Sequence, residues 1–316
     1  METSYLYGLI GACWWASLSG MQAQEGSRDF PAVTIPTELR DPTTRASYLV
    51  QHYWDQFDFQ QALELYAPEV TEQALSNFID LMRLVPTAEA EEAFRQLIRQ
   101  SSVHKPTLLY FLEQCEAYLY DVESPVRREE LLIPVLQTAL TLPQLDTYEK
   151  VRPESLLALL LRNRVGEPAT DFAFVTAEGA EQTLYALPSV PTVLYFMDPT
   201  CDHCQAVTRQ LASSEVINRQ LAVGQLQLLA LYPGEEEALW RSHLPDLPVS
   251  WIRARDAAQR VVGEELYDIP RYPTLYLLDA SKAVLLKNTT LEAIETRIQY
   301  KSLCLVSKRG TGFFHT

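Results

Sequence analysis

Between Thr43 and Asn163 apolar residues recur at spacings of three and four, the period of an amphipathic helix, and no stretch alternates as a strand does. Breaks at proline or polar turns predict six helices: Thr43–Phe57, Thr71–Val85, Thr87–Val103, Pro106–Tyr120, Pro125–Leu140 and Asp146–Arg164. Pro106 and Pro125 suit first-turn positions, where a missing N–H costs nothing. Thr87 followed by Glu89, Glu91 and Glu92 sets acid against the positive end of a helix. Pro134, inside its helix, is expected to kink or split it.

After Gly166 the period changes. Phe172–Val175 and Thr183–Leu187 flank the turn signal Glu178-Gly179 and predict a hairpin. Thr192–Met197 is apolar on both faces and reads as a central strand, followed by one helix. Gln225–Tyr232 is a further strand, and Pro233-Gly234 leads into a helix that opens on Glu235, Glu236 and Glu237. Val249–Arg253 and Thr274–Leu278 follow, the latter turning through Ala280-Ser281-Lys282 into Val284–Lys287, and Thr290 caps a last helix to about Ile298. Strands alternating with helices imply a mixed sheet with crossover helices.

A length of 316 residues suits two domains. The expected division is a signal peptide over 1–23, a linker over 24–42, an all-helical domain over 43–163, an α/β domain over 164–299 and a poorly ordered tail over 300–316. The chain is 47% hydrophobic with a formal charge of −15. Lys and Arg cluster nowhere before the last few residues, which argues against a phosphate-binding nucleic-acid surface.

Tyr5–Trp15 is an apolar run of about the length of a signal-peptide core, followed by small residues, and it predicts export to the periplasm or envelope. No Lys or Arg precedes Arg28 and Glu2 has the wrong sign, so the start is open to being truncated. The run is too short to span a bilayer, and any membrane tether would act through the N-terminus. A second reading makes Cys13, in Ile10-Gly11-Ala12-Cys13, an acylated lipoprotein cysteine. Cys115 is expected to pack inside, and Cys304 lies in the tail.

The chemistry concentrates at Cys201-Asp202-His203-Cys204, where the central strand gives way to a helix. A helix start carries unpaired N–H groups and about half a positive charge, so the first cysteine is favoured there as thiolate, the nucleophile. A zinc site would need four ligands, and Cys13, Cys115, Cys304 and the histidines form no second ligand pair. A purely structural disulfide across two residues closes too short a loop to stabilise much. No cofactor or metal is called for beyond the redox-active Cys201–Cys204 pair.

Strand, Cys-x-x-Cys, helix, strand, helix and strand-hairpin-helix resemble an α/β thioredoxin fold, here preceded by an all-α domain. Tyr267-Asp268-Ile269-Pro270-Arg271-Tyr272-Pro273-Thr274 resembles the family's tyrosine, loop and cis-proline-threonine element. Val165-Gly166-Glu167-Pro168-Ala169 with Asp171-Phe172 is similar to the lead-in of the TlpA/ResA-like branch of bacterial envelopes. Upstream, His52-Tyr53-Trp54-Asp55-Gln56-Phe57-Asp58-Phe59 resembles a motif of a helical domain of unknown function found before thioredoxin-like domains in Gram-negative anaerobes. The residues alone favour core aromatics at Trp54, Phe57 and Phe59 with Asp55 and Asp58 as caps or solvated acids.

The resemblance implies a thiol-disulfide oxidoreductase in which Cys201 attacks a substrate disulfide and Cys204 resolves the mixed disulfide, with His203 and Pro273 completing the site. Thr200, Tyr272 and Thr274 would line the substrate groove, and Asp198 and Asp202 are the candidates for a proton relay; at Asp198 a turn-capping role competes. The implied partners are protein thiols or disulfides and an upstream electron donor. Thr200 departs from the tryptophan common before the first cysteine, and the buried acid of many relatives is missing, with Tyr195 and Val207 at the corresponding places. Two alternatives stay open: a non-catalytic partner-binding module on the same scaffold, and a peroxiredoxin-type peroxidase, which needs a threonine where Asp198 stands.

Overall fold

The computed structural model describes residues 28–310, the side chains of 301–310 excepted. The expected signal peptide and Cys13 lie outside the described residues. Contacts divide the chain into two compact units, Met1–Tyr118 and Leu119–Thr316.

The described part of the first unit is helical. Helix α1 spans Pro42–Gln51, α2 Ala62–Leu65, α3 Pro68–Leu81, α4 Thr87–Ser101, and α5 starts at Lys105 and ends just past the unit at Leu119. Helix α1 stops earlier than expected, and His52–Gln56 form turns that drop Trp54 into the core, where its ring meets those of Phe57, Phe78 and Phe111 within 5.6 Å. Trp54, Phe57 and Phe59 are therefore core residues. Asp55 pairs with His52 at 2.6 Å on the surface, and Asp58 accepts from the amides of Gln60 and Gln61 ahead of α2. The described part of the expected linker is packed rather than free: Phe30 stacks on Tyr53 at 5.0 Å, and the Arg28 amide donates to Leu65.

In the second unit α6 spans Glu129–Thr141 and α7 Thr147–Leu160, so the expected division at 163/164 is not where the contacts divide. Side chains explain the grouping. Arg164 forks onto Glu130, Arg162 donates to the Glu264 and Glu265 carbonyls, and Asn163 donates to the Leu266 carbonyl at 2.7 Å while accepting from the Thr170 amide. Pro125 falls in a turn before α6, not in its first helical turn, and α6 passes through Pro134 unbroken because the residues on either side are buried. Asp146 caps α7 in a reciprocal bond pair with Glu149.

The rest of this unit is one mixed sheet. Its elements are β1 Ala173–Thr176, β2 Glu181–Thr183, β3 Thr192–Phe196, α8 Asp202–Ser213, α9 Glu215–Ala222, β4 Gln227–Tyr232, α10 Glu237–His243, β5 Ile252–Arg255, α11 Arg260–Gly263, β6 Thr274–Leu278, β7 Val284–Leu286 and α12 Leu291–Gly310. The strand order is β2-β1-β5-β4-β3-β6-β7, with β3, β4 and β5 parallel and β6 antiparallel to β3. Every residue of β3 is buried. Val193 and Tyr195 enter one core layer with Cys204, Leu211, Ile217 and Ile294, while Leu194 and Phe196 enter the other with Phe172, Phe174, Tyr267 and Tyr276.

Three expectations need correction. The second hairpin strand ends at Thr183 and turns as a 3₁₀ helix over Leu184–Ala186. The expected single helix after β3 is two, because Ser214 takes an extended conformation and caps α9 through the Ile217 amide at 3.1 Å. The expected tail begins as helix, since α12 runs to Gly310; residues 311–316 lie outside the described residues. Among the described residues, no helix is long and apolar enough to cross a membrane.

Candidate functional site

Strand β3 ends at Phe196, and the next residues turn sharply into α8. The Asp198 carboxylate accepts from the Thr200 amide at 2.8 Å and from the Thr200 hydroxyl at 2.6 Å, a turn-capping geometry that leaves Thr200 exposed. Cys201 then occupies the N-cap of α8 with extended backbone, φ −80 and ψ 114. Its sulfur stands where a serine or aspartate oxygen usually does and accepts from the Cys204 amide at 3.2 Å. One free N–H of the helix start therefore points at Cys201 Sγ, with the macrodipole behind it.

The two sulfurs have unlike surroundings. Both are free thiols; Cys201 is half-buried, Cys204 fully buried. Burial, reinforced by the hydrogen bond with Cys201, pushes the Cys204 thiol up to about 12, while a backbone hydrogen bond from Asp198 pulls the other way. Asp202 and His203 ride exposed on the first turn of α8.

Across from the dithiol the Tyr272–Pro273 peptide is cis, and Cys201 Sγ lies 3.7 Å from the Tyr272 carbonyl oxygen. Proline is the residue that tolerates that isomer. The Tyr272 ring is partly buried against both core layers, and burial next to the Asp198 carboxylate raises its hydroxyl to about 12. Thr274 opens β6, is buried, and donates its hydroxyl to the Arg271 carbonyl at 2.6 Å. Cys201, Cys204, Tyr272 and Pro273 thus converge, with Asp198 and Thr200 shaping the turn on one side; Thr274 braces the loop from inside.

Two further residues belong here: Tyr195, which the sequence places where many relatives carry a buried acid, and Tyr232, which the sequence did not single out. Tyr195 is completely buried under the helix start, donating its hydroxyl to the Cys204 carbonyl at 2.7 Å and sharing a hydrogen bond with Thr208 at 2.8 Å. The alternation along β3 places residues 193, 195 and 197 on the α8 side. Tyr232 lies against the backbone of Gly234, where a side chain would strike its ring, and its hydroxyl is raised by burial and by the charges of Asp198, Glu236 and Glu235. Among the described residues, no three His, Cys, Asp or Glu side chains gather where they could hold a metal ion.

Over 86% of its length this chain is similar to a thioredoxin-like protein of known structure from Bacteroides caccae, with 37% identity, 99% of that chain covered and a TM-score of 0.81. The chain belongs to the thioredoxin-like proteins. Residues 16–163 match a family described as a domain of unknown function, DUF5106. The C-terminal domain of an uncharacterized protein from Bacteroides fragilis is 36% identical over 43% of this chain and 98% of that one, with a TM-score of 0.43. The thioredoxin domain of a thiol-disulfide oxidoreductase from Bacteroides vulgatus is 15% identical over 44% of this chain and 97% of that one, with a TM-score of 0.38. No curated protein matches the chain.

Proposed function

We propose that this thioredoxin-like protein is a thiol-disulfide oxidoreductase of the bacterial envelope, in the TlpA/ResA-like branch, acting on protein disulfides. The observation that carries the reading is the asymmetry of the pair: Cys201 Sγ is half-buried beside the Tyr272 carbonyl, and Cys204 is sealed beneath it. One sulfur meets a substrate and the other waits.

In the reducing direction the Cys201 thiolate attacks one sulfur of the substrate disulfide, an S–S bond forms between them, and the departing substrate thiolate takes a proton. Cys204 then loses its proton, attacks Cys201 Sγ and releases the second substrate thiol. Two electrons and two protons pass to the substrate, leaving a Cys201–Cys204 disulfide for an upstream electron donor to reduce. The buried Cys204 proton needs an acceptor, and Asp198, whose charge acts on Cys204, Tyr272 and Tyr232 alike, is our candidate for it. Asp202 and His203, at the exposed rim, tune the charge around Cys201. Thr200 and Tyr272 border the groove, with Thr274 behind it.

The test is insulin-disulfide reduction driven by dithiothreitol, with the native chain beside Cys201→Ser and Cys204→Ser. Each single variant is expected to lose turnover by about a hundredfold or more, since either loss interrupts the two-step exchange. Equal, negligible rates for all three proteins would instead favour a binding module on this scaffold, and hydrogen peroxide consumption would favour a peroxidase.

A further inference from the structure

The loop Asp268–Pro273, which presents the Tyr272 carbonyl to Cys201, is held in an unusual way. Among the described residues, none of its backbone groups joins a backbone-to-backbone hydrogen bond in a turn or to a neighbouring loop. Pro270 and Pro273 have no N–H to give. The anchors are side chains: Tyr276 donates to the Asp268 carbonyl at 2.8 Å, Thr274 to the Arg271 carbonyl and Cys201 to the Tyr272 carbonyl, Lys287 and Asn288 reach Asp268, and others come from one short stretch of chain far away in sequence.

That stretch is 120–129, from the end of α5 to the first residue of α6. Tyr120 donates its hydroxyl to Asp268 Oδ1 at 2.8 Å, and Glu123 pairs with Arg271. Arg127 sits 4.0 Å from Asp268 Oδ2, lies over the Tyr120 ring, and bonds Glu129 at 3.1 Å. Glu129 in turn holds Lys287 at 3.1 Å, and Lys287 with Asn288 completes the ring of partners around Asp268, at 3.8 and 2.6 Å. Asp268 is 1% exposed, so its carboxylate is out of water and depends on these partners. Two carboxylates and two cations balance within the network, Asp268 and Glu129 against Arg127 and Lys287.

We propose that Tyr120, Glu123, Arg127 and Glu129 are positioning residues of the dithiol site: a clamp, contributed by the helical region, that fixes the substrate-facing loop Asp268–Pro273 opposite Cys201. The inference rests on the redox reading above, because it gives the loop a substrate to face. A segment with no backbone anchors of its own is mobile unless side chains immobilise it, and a disordered groove binds a polypeptide weakly because ordering must occur on binding. The clamp supplies that order in advance. It also gives residues 120–129, which lie within the DUF5106-matching segment, a task at the thiol site.

The test uses the full-length reduced chain and the double variant Tyr120→Phe, Glu123→Gln, with two readouts. Tryptic cleavage after Arg271 is expected to quicken about tenfold or more while amide exchange in β3 is unchanged, the mark of local rather than global opening. In insulin reduction KM rises about three- to tenfold with kcat within about twofold, and the rate with a small aromatic disulfide, which needs no groove, stays within about twofold. Unchanged cleavage after Arg271 overturns the clamp, and so does faster cleavage accompanied by faster exchange through β3, which marks general destabilisation. A native chain that reduces neither disulfide refutes the redox reading while the cleavage readout still decides whether the clamp exists, so the two failures are told apart.

Discussion

The two ends of strand β3 treat buried polar groups in opposite ways. At its start Lys282, 3% exposed and in a left-handed turn at φ 68, donates through Nζ to the Pro188 carbonyl at 2.9 Å, the Val190 carbonyl at 3.2 Å and the Thr192 hydroxyl at 3.0 Å. Gln227 adds bonds to Pro188 and Thr192 at 3.1 and 2.8 Å. All three ammonium donors are used, and nothing is left to react. At the other end Cys201 Sγ has one amide donor and one distant carbonyl, and the thiol below it is held protonated by burial. The same sheet therefore has a saturated end that fixes the scaffold and an under-satisfied end fit for chemistry, which is where such groups belong if they serve a function.

Breaking the saturated end should cost stability without touching exchange. Lys282→Met removes three donated bonds and leaves Pro188 and Thr192 with Gln227 alone and Val190 with the Thr192 hydroxyl, and urea unfolding should show a loss of about 1–2 kcal/mol. Turnover per folded molecule should stay near the native value; a large fall would mean that the two ends are coupled.

A smaller effect sharpens the contrast at the reactive end. Cys204 is raised from its ordinary 9.0 to about 12 in the folded chain, so above about pH 9 the unfolded chain gives up that proton first and stability falls, the loss being complete near pH 12. Oxidation removes this group from titration. Alkaline unfolding scans should therefore show the reduced protein losing more stability than the disulfide form over that range. Cys115, also raised to about 12, adds the same slope to both forms, Lys282, lowered by burial, adds the opposite slope to both, and Tyr195 and Tyr272, raised chiefly by burial and in part by the charge of Cys204, follow the change at the dithiol. Parallel curves would contradict the buried environment of Cys204.

What could be read in advance follows from how local the signal is. Strand β3, the dithiol at a helix start and Pro273 are each set by a few adjacent residues, and all three stand where the pattern puts them. The break between α8 and α9 escaped because Ala212-Ser213-Ser214 carries no proline or glycine, and the turn is fixed by Ser214, which bonds Ile217 on one side and Glu295 of α12 on the other. Pro134 looked like a helix breaker, yet α6 absorbs one missing amide bond because Leu131–Leu136 is buried throughout. The Asp268 network was invisible for a simpler reason: Tyr120 and Asp268 are 148 positions apart, and no local spacing announces such a pair.

The central claim is tested most directly by equilibrating the native chain with mixtures of reduced and oxidised glutathione, trapping thiols with an alkylating agent and mapping them by mass spectrometry. The account predicts a reversible two-electron transition between a dithiol and an intramolecular Cys201–Cys204 disulfide, with Cys201 and not Cys204 alkylated when the folded dithiol is treated briefly. Two sulfurs that stay reduced and unlabelled throughout, or that pair with glutathione but never with each other, would contradict it.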